Sequence, residues 1–217
     1  MSNQTYSFSK VIRHLETQLS LADLPSEQDR LFMAPYKRIV NGKLYQAPPK
    51  PKLSAVLILL YPTANGETLF SLMLRETYKG AHSGQVSLPG GRHEKSDPHF
   101  KYTALRETNE EFGVPLEEMH ILGKISEVYI PPSGFLVKPF VGYAKEAPRF
   151  NIDPREVKKR IEVPLSELMD ESRQKDTLLE LQEGYKVKVP YFDLQNEVVW
   201  GATALILGEL HLILKNL

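Results

Sequence analysis

Apolar positions along the chain change their spacing several times, and each change marks an element. In SFSKVIRHLETQLS (residues 7–20), Val11, Ile12, Leu15 and Leu19 recur at helical spacing, which predicts a short amphipathic helix. A polar, proline-bearing stretch follows, and QAPPKPK (46–52) has the composition of a linker. SAVLILLYP (54–62) and TLFSLMLRE (68–76) are apolar runs of strand length, with Asn65-Gly66 between them as the turn of a hairpin. A glycine-rich turn in LPGGR (88–92) then leads to a helix over 98–112. HILGKISEVYI (120–130) predicts a strand stopped by Pro131-Pro132, and FLVKPFVGYA (135–144) predicts another. EVKKRIEVPLSELMD (156–170) predicts a strand that becomes a short helix after Pro164, and KVKVPYFDL (186–194) a further strand. VVWGATALILGELHLILKNL (198–217) predicts a closing helix, apolar around much of its circumference. The pattern is that of one α+β domain, a mixed β-sheet between helices, at 49–217, preceded by a helical extension and linker at 1–48.

Composition narrows the picture mainly by exclusion. Lys+Arg and Asp+Glu both total 27 in 217 residues, so net charge supplies no argument for nucleic acid or an anionic membrane as partner. With no cysteine there is no disulfide framework, no thiolate nucleophile and no cysteine zinc site. The opening MSNQTYSFSKVIRH lacks the apolar core of a signal peptide. The longest apolar run, AVLILLY (55–61), is far shorter than the roughly 20 residues that cross a bilayer. The expectation is a cytoplasmic protein with no membrane partner. The closing helix, and Leu31, Phe32 and Met33 in the extension, fit burial either within the monomer or at a homodimer contact.

The chemistry gathers in LRETNEEFGV (105–114), where Glu107, Glu110 and Glu111 crowd one short stretch. Like charges at i,i+3 or i,i+4 cost a helix about 0.2–0.5 kcal/mol per pair. At about 100° per residue, Leu105, Phe112, Tyr102 and Thr108 form a core-facing stripe and the three glutamates share the opposite face. Such a face is either solvated or arranged around a cation. Three features favour the cation. Pro89-Gly90-Gly91 permits close backbone approach and an inward carbonyl. Asp97-Pro98 has the form of an N-cap followed by proline at the first helical position, with Glu94 nearby as a second acid. Arg106 is an internal counter-ion, and hard ions such as Mg²⁺ take carboxylate, carbonyl and water oxygens shared with substrate phosphates.

GGRHEKSDPHFKYTALRETNEEFGV (90–114) resembles the Nudix box, with Arg106-Glu107, Glu110-Glu111, Gly113 and Val114 in place. It departs from it at Asp97, where a glutamate is usual, at Thr108, and by one extra residue between Gly91 and Arg106. The resemblance implies the Nudix fold, an α/β/α sandwich, and a metal-dependent pyrophosphohydrolase using Mg²⁺ or Mn²⁺. LMLRETYKGAHSGQVSLPGG (72–91) further resembles the signature of the coenzyme A pyrophosphatase branch at Arg75, His82, Gly84, Val86, Pro89, Gly90 and Gly91, but not at Glu76, Lys79, Gly80 or Leu88. That branch tends to share the aspartate and the extra residue. PPSGFLVKPFVGY (131–143) and VVWGATALIL (198–207) resemble its later segments. The implied reaction cleaves coenzyme A or a thioester of it to 3′,5′-ADP and 4′-phosphopantetheine.

By that resemblance Glu107, Glu110 and Glu111 hold the metal with the Gly90 carbonyl, Arg106 orients the carboxylates, and Asp97 acts from the loop as a partner to the ligands or as a further ligand. Arg75, Lys79, His82, Gln85, Gly90, Gly91 and Arg92 meet the substrate. The general base stays open among Glu110, Glu111, Glu127 and Glu162. Hydrolysis of ADP-ribose, nucleotide sugars or dinucleoside polyphosphates is the alternative substrate class, and a non-catalytic nucleotide sensor the alternative of another kind.

Overall fold

The computed structural model describes residues 6–21, 24–35, 39–40, 43–76, 84–180 and 186–217. Helix α1 (Phe8–Leu21) turns Val11, Ile12 and Leu15 inward. A one-turn helix, α2 (Glu27–Arg30), starts at Ser26 in a reciprocal capping box with Asp29. Two short strands, β1 (Ile39–Val40) and β2 (Lys43–Leu44), pair with each other.

The main sheet comprises β3 (Lys52–Pro62), β4 (Thr68–Arg75), β5 (Val86–Ser87), β6 (Gly90–Arg92), β7 (His120–Lys124), β8 (Val128–Ile130), β9 (Phe135–Tyr143) and β10 (Val157–Pro164). Its order is β10-β4-β3-β9-β7, with β5 on β4, β6 on β3 and β8 on β9. Among the described residues only β3 and β9 pair in parallel, so the sheet is mixed as expected.

Strand β3 explains the layering. Ala55, Leu57, Leu59 and Tyr61 face one side and pack with Ala104 and Phe112 of helix α3 (Phe100–Phe112). Ile58 and Leu60 face the other side and join Val11, Ile12 and Leu15 of α1 with Leu205, Leu207 and Leu210 of helix α5 (Gly201–Leu214). A strand buried on both faces reads as a continuous apolar run, which is why SAVLILLYP lacks alternation. The result is the predicted helix–sheet–helix sandwich.

Three local expectations are corrected. The strand expected over 120–130 is two strands, because β7 pairs with 140–143 of β9 and β8 with 135–137 along the same edge. Helix α4 (Leu165–Met169) follows Pro164 as expected, but β11 (Gln174–Glu180), β12 (Lys186–Leu194) and β13 (Glu197–Trp200) form a second, three-stranded sheet. QKDTLLE carries no clean apolar period, so β11 had no signal to show. The third correction concerns residues 198–200, expected in the closing helix: they are β13, and the break falls at Gly201, whose φ of +68° starts α5.

The extension is fastened to the domain by main-chain bonds at the β3–β4 turn. Phe8 N–H donates to Gly66 O at 2.9 Å and Thr68 N–H to Tyr6 O at 3.0 Å. Helix α5 is wrapped by its own chain, with only Ala202 and Leu212 of its 14 residues short of full burial. Its Glu209 accepts the Ser126 hydroxyl at 2.7 Å and lies 3.5 Å from Arg30 of α2. The apolar circumference seen in the sequence is therefore covered within one chain. Among the described residues no helix is long and apolar enough to cross a membrane.

Because Leu15 is wholly buried in the shared core, Leu15→Ala is expected to cost about 2–5 kcal/mol, read as a lowered urea midpoint. A loss below about 0.5 kcal/mol, the size of an ordinary surface change, would show α1 to be an appendage.

Candidate active site

Helix α3 begins nearly two turns before Arg106 and Glu107, its first site side chains. His99 is its N-cap, with Nδ1 accepting the Tyr102 N–H at 3.0 Å. Asp97, expected as the cap, sits two residues too early, and its carboxylate serves another purpose. It accepts the Glu94 N–H at 3.0 Å, the Thr103 hydroxyl at 2.9 Å, and Arg106 through Nε at 2.9 Å and Nη2 at 3.1 Å. The Arg106 fork holds the Asp97 carboxyl well below the usual carboxylate range, against the opposing effect of burial. The helix ends at Gly113, whose φ of +70° lets its N–H donate to Asn109 O at 2.7 Å.

Arg106 is the hub of the acidic face. Beyond Asp97 it reaches Glu107 Oε1 at 2.9 Å, Glu110 Oε2 at 2.9 Å and the Arg92 carbonyl at 3.2 Å. Glu110 stays half exposed beside it, whereas Glu107 is largely buried against the glycine turn. A Cβ on Gly91 would overlap the Glu107 carboxylate, so glycine is required there for the carboxylate to lie where it does. Gly90, at φ +146°, is equally constrained: a Cβ would strike the Ala55 carbonyl.

Glu111 departs most from the helical-wheel expectation. Thr103, Ala104, Thr108, Glu111 and Phe112 are the buried residues of α3, while Leu105 and Tyr102 are only partly covered. The buried stripe is turned by about 90° from the predicted one, because the helix must cover β3 and also meet the Gly90–Gly91 turn. Glu111 thereby enters the interior, 1% exposed, and its Oε2 accepts the Gly90 N–H at 2.8 Å. Arg75 Nη1 lies 3.5 Å from its other oxygen. Burial pushes the Glu111 carboxyl up to about 8; Arg75 and the Gly90 N–H pull it down, and the charges of Glu107 and Glu156 push it further up. Glu107 is raised as well, chiefly by burial and against the pull of Arg106.

The remaining predicted residues divide. Arg75 stands at the glutamates. Gln85 accepts the Arg75 N–H through its carbonyl at 3.1 Å, and Arg92 is exposed beside the turn. Lys79 and His82 lie outside the described residues. Of the acids considered as bases, the two outside α3 are engaged elsewhere: Glu127 with Lys138 at 2.6 Å, and Glu162 with the Tyr61 hydroxyl at 3.0 Å and Arg160 at 3.1 Å. The acid that does bear on both Glu107 and Glu111 is Glu156, which no sequence pattern singled out. It comes from the turn before β10, 45 residues after Glu111, so only the folded sheet brings it near. A cavity of about 260 Å³ beneath the extension, lined by Arg30, Tyr45, Gln46, Glu127 and Tyr129 among others, includes none of the box residues.

Among the described residues, no three acidic or histidine side chains close into a ready-made metal cage. The donor chemistry nonetheless suits Mg²⁺ or Mn²⁺. Mg²⁺ is typically held by one or two carboxylates and completed by water and substrate phosphate. Glu107 and Glu111, one turn apart against the same glycine turn, are two carboxylates whose burial disfavours their charged forms until a cation arrives.

Residues 51–181 match the NUDIX domain. The chain is 32% identical over 176 residues to the uncharacterized Nudix hydrolase NudL of Photorhabdus laumondii, spanning 79% of this chain and 93% of that one. It is 29% identical over 171 residues to the mitochondrial coenzyme A diphosphatase NUDT8 of Homo sapiens, spanning 78% and 72%. Among solved structures, a MutT/nudix family protein from Enterococcus faecalis superposes with a TM-score of 0.52 at 15% identity, covering 98% of this chain and 76% of that one, a likeness of fold.

Two outcomes are expected. Glu111 binds its proton more tightly folded than unfolded, with a carboxyl near 8 against an ordinary 4.5. The stability it contributes is therefore present below the ordinary value and is lost as pH rises through about 8. Calorimetry in chelator should show the metal-free protein melting lower at pH about 9 than at pH about 6, with Glu111→Gln flattening that slope. Gly91→Ala, which puts a methyl group on the Glu107 carboxylate, is expected to weaken Mn²⁺ binding about 10–100-fold in an electron paramagnetic resonance titration.

Proposed function

The chain belongs to the Nudix hydrolase family, and on that footing we propose that it hydrolyses the diphosphate bond of coenzyme A or its thioesters, releasing 3′,5′-ADP and 4′-phosphopantetheine. The observation that carries the chemistry is the pair of carboxylates, Glu107 and Glu111, pressed against Gly90–Gly91 with Arg75 alongside. Two things support the substrate: the resemblance of residues 72–91 to the coenzyme A branch, and the similarity to the human coenzyme A diphosphatase.

A diphosphate repels an approaching water through its clustered negative charge. Mg²⁺ or Mn²⁺ held by Glu107 and Glu111, with Glu110 and the Gly90 carbonyl as further oxygen donors, supplies charge neutralisation and a more acidic bound water. The chain's own groups do the rest. Arg106, locked to Asp97, keeps Glu107 and Glu110 from swinging away. Arg75 is placed to hold a phosphate oxygen while it balances Glu111, a task suited to a guanidinium with several donors. By the resemblance of residues 72–91, Lys79, His82, Gln85 and Arg92 are the further substrate contacts.

Product analysis with coenzyme A, ADP-ribose, a nucleotide sugar and a diadenosine polyphosphate, each with and without Mg²⁺ or Mn²⁺, tests the reading. Metal-dependent release of 3′,5′-ADP from coenzyme A is expected. Cleavage of another substrate instead would keep the glutamate site and reject the coenzyme A assignment; binding without cleavage would favour a nucleotide sensor. Glu111→Gln is expected to lower kcat at least about 100-fold, the scale of losing one preorganised electrostatic group, with the circular dichroism spectrum unchanged.

A further inference from the structure

Arg30 of α2 is a largely buried cation whose hydrogen-bonding capacity is unused. Its side chain is 11% exposed, and among the described residues its ion pair is with Glu209 alone, Nη1 lying 3.5 Å from Oε2. Its Nε is sealed from solvent with no acceptor. A guanidinium carries five N–H donors, and burying donors that meet no acceptor opposes folding. Glu27, one helical turn earlier on the same face, is a natural i,i+3 partner. It makes no ion pair with Arg30 among the described residues; its Oε1 accepts the Leu44 N–H at 2.8 Å.

Both side chains line the cavity of about 260 Å³ between the extension and the domain. Val128 and Leu205 in its wall belong to the core layer on the α5 side of the sheet, whereas Glu107 and Glu111 stand on α3, so the cavity is separate from the box. Tyr45 of the extension stacks there on Tyr129 of β8, with ring centroids 6.2 Å apart and planes 23° from parallel. Tyr45 is 51% exposed, so the stack has an open face for a further flat ring. Charge around the cavity tips slightly negative: Glu209 offsets Arg30 and Lys138 offsets Glu127, which leaves Glu27 over. A phosphate is repelled by such a lining, whereas an uncharged polar ring is not. A volume of about 260 Å³ is below the roughly 300–1,000 Å³ of sites for drug-sized ligands, so it suits one ring system with its sugar and not a whole diphosphate-linked substrate.

We propose that this cavity is a second site, apart from the glutamates, for an uncharged purine nucleoside with a guanine base. The base continues the Tyr45–Tyr129 stack, since every nucleobase offers an aromatic face. Its O6 and N7 acceptors meet the Arg30 fork, a bidentate pairing that guanine alone among the common bases presents. Its N1–H and 2-amino donors turn toward Glu27, whose carboxylate can only accept. Adenine carries a donor where guanine has O6, and so leaves half of the fork unmet. The nucleoside joins α2 and Tyr45 of the extension to β8 of the domain and supplies the acceptors that Arg30 lacks. The site depends neither on diphosphate hydrolysis nor on coenzyme A being the substrate.

Isothermal titration of the full chain in chelator with guanosine, adenosine and guanosine 5′-monophosphate tests the site. Guanosine is expected to bind with a Kd below about 1 mM, at least about tenfold tighter than adenosine, and to raise the melting temperature as its concentration rises. Tyr45→Ala, at a half-exposed position, should weaken guanosine at least about tenfold, while Tyr45→Phe, which keeps the ring, should stay within about threefold. Arg30→Lys keeps a charge beside Glu209 but loses the fork. The preference for guanosine over adenosine should therefore vanish in that variant, with the circular dichroism spectrum unchanged. Glu111→Gln should bind guanosine as the unaltered chain does. The absence of guanosine binding below about 1 mM would overturn the proposal, and so would adenosine binding equally well to the unaltered chain. Tighter binding of the monophosphate than of guanosine would make the cavity an anion site instead. Binding lost in Glu111→Gln but kept in Tyr45→Ala would put the nucleoside at the glutamates and reject the second site.

Discussion

One short contact organises the site: the Glu111 carboxylate accepting the Gly90 N–H deep inside the protein. A carboxylate in that position has lost most of its hydration, and one backbone donor with a long Arg75 contact does not replace it. The consequence is a raised affinity for protons in the metal-free protein and, by the same physics, a raised appetite for a divalent cation. Everything nearby serves to keep this unfavourable group in place. Gly90 and Gly91 remove the Cβ atoms that would separate helix from turn, and β6 pins the turn to β3.

Arg106 solves a different part of the problem. Three acids lie within reach of one guanidinium, and the fork onto Asp97 fixes its plane. The positive charge lowers the repulsion among the helix glutamates, while Glu111 is met by Arg75 instead. Asp97 is therefore a structural anion for Arg106, which accounts for its tolerance as a shorter acid than the usual glutamate: the bonds it makes are local ones, to Glu94, Thr103 and Arg106.

The opposite side of the sheet supplies rigidity. Helix α5 fills the second layer, and its buried Glu209 draws in Ser126 and Arg30, so the extension and the segment after β7 are held by one carboxylate. Burial raises the affinity of Glu209 for protons, with Ser126 and Arg30 acting against that. The two buried glutamates, Glu111 and Glu209, make an instructive contrast. Glu209 is satisfied by donors from its own chain, whereas Glu111 is left short of them.

Local order in the sequence was enough for much of this. Helix α1, the Asn65-Gly66 hairpin, the strand-to-helix change at Pro164 and the position of α3 all follow from spacing and turn chemistry within a few residues. The box motif likewise singled out Glu107, Glu110, Glu111 and Arg106, because helical spacing puts them on neighbouring turns. What spacing could not decide was rotation and long-range approach. The burial of Glu111 depends on how far α3 turns to meet Gly90, and the true cap, His99, depends on Asp97 being claimed by Arg106. The second sheet was invisible because β11 has no apolar period of its own, and the nearness of Glu156 to Glu111 exists only once β10 pairs with β4. A linear chain sets which charges are available; the packing of helix on sheet decides which of them lose their water, and that loss is what creates the site.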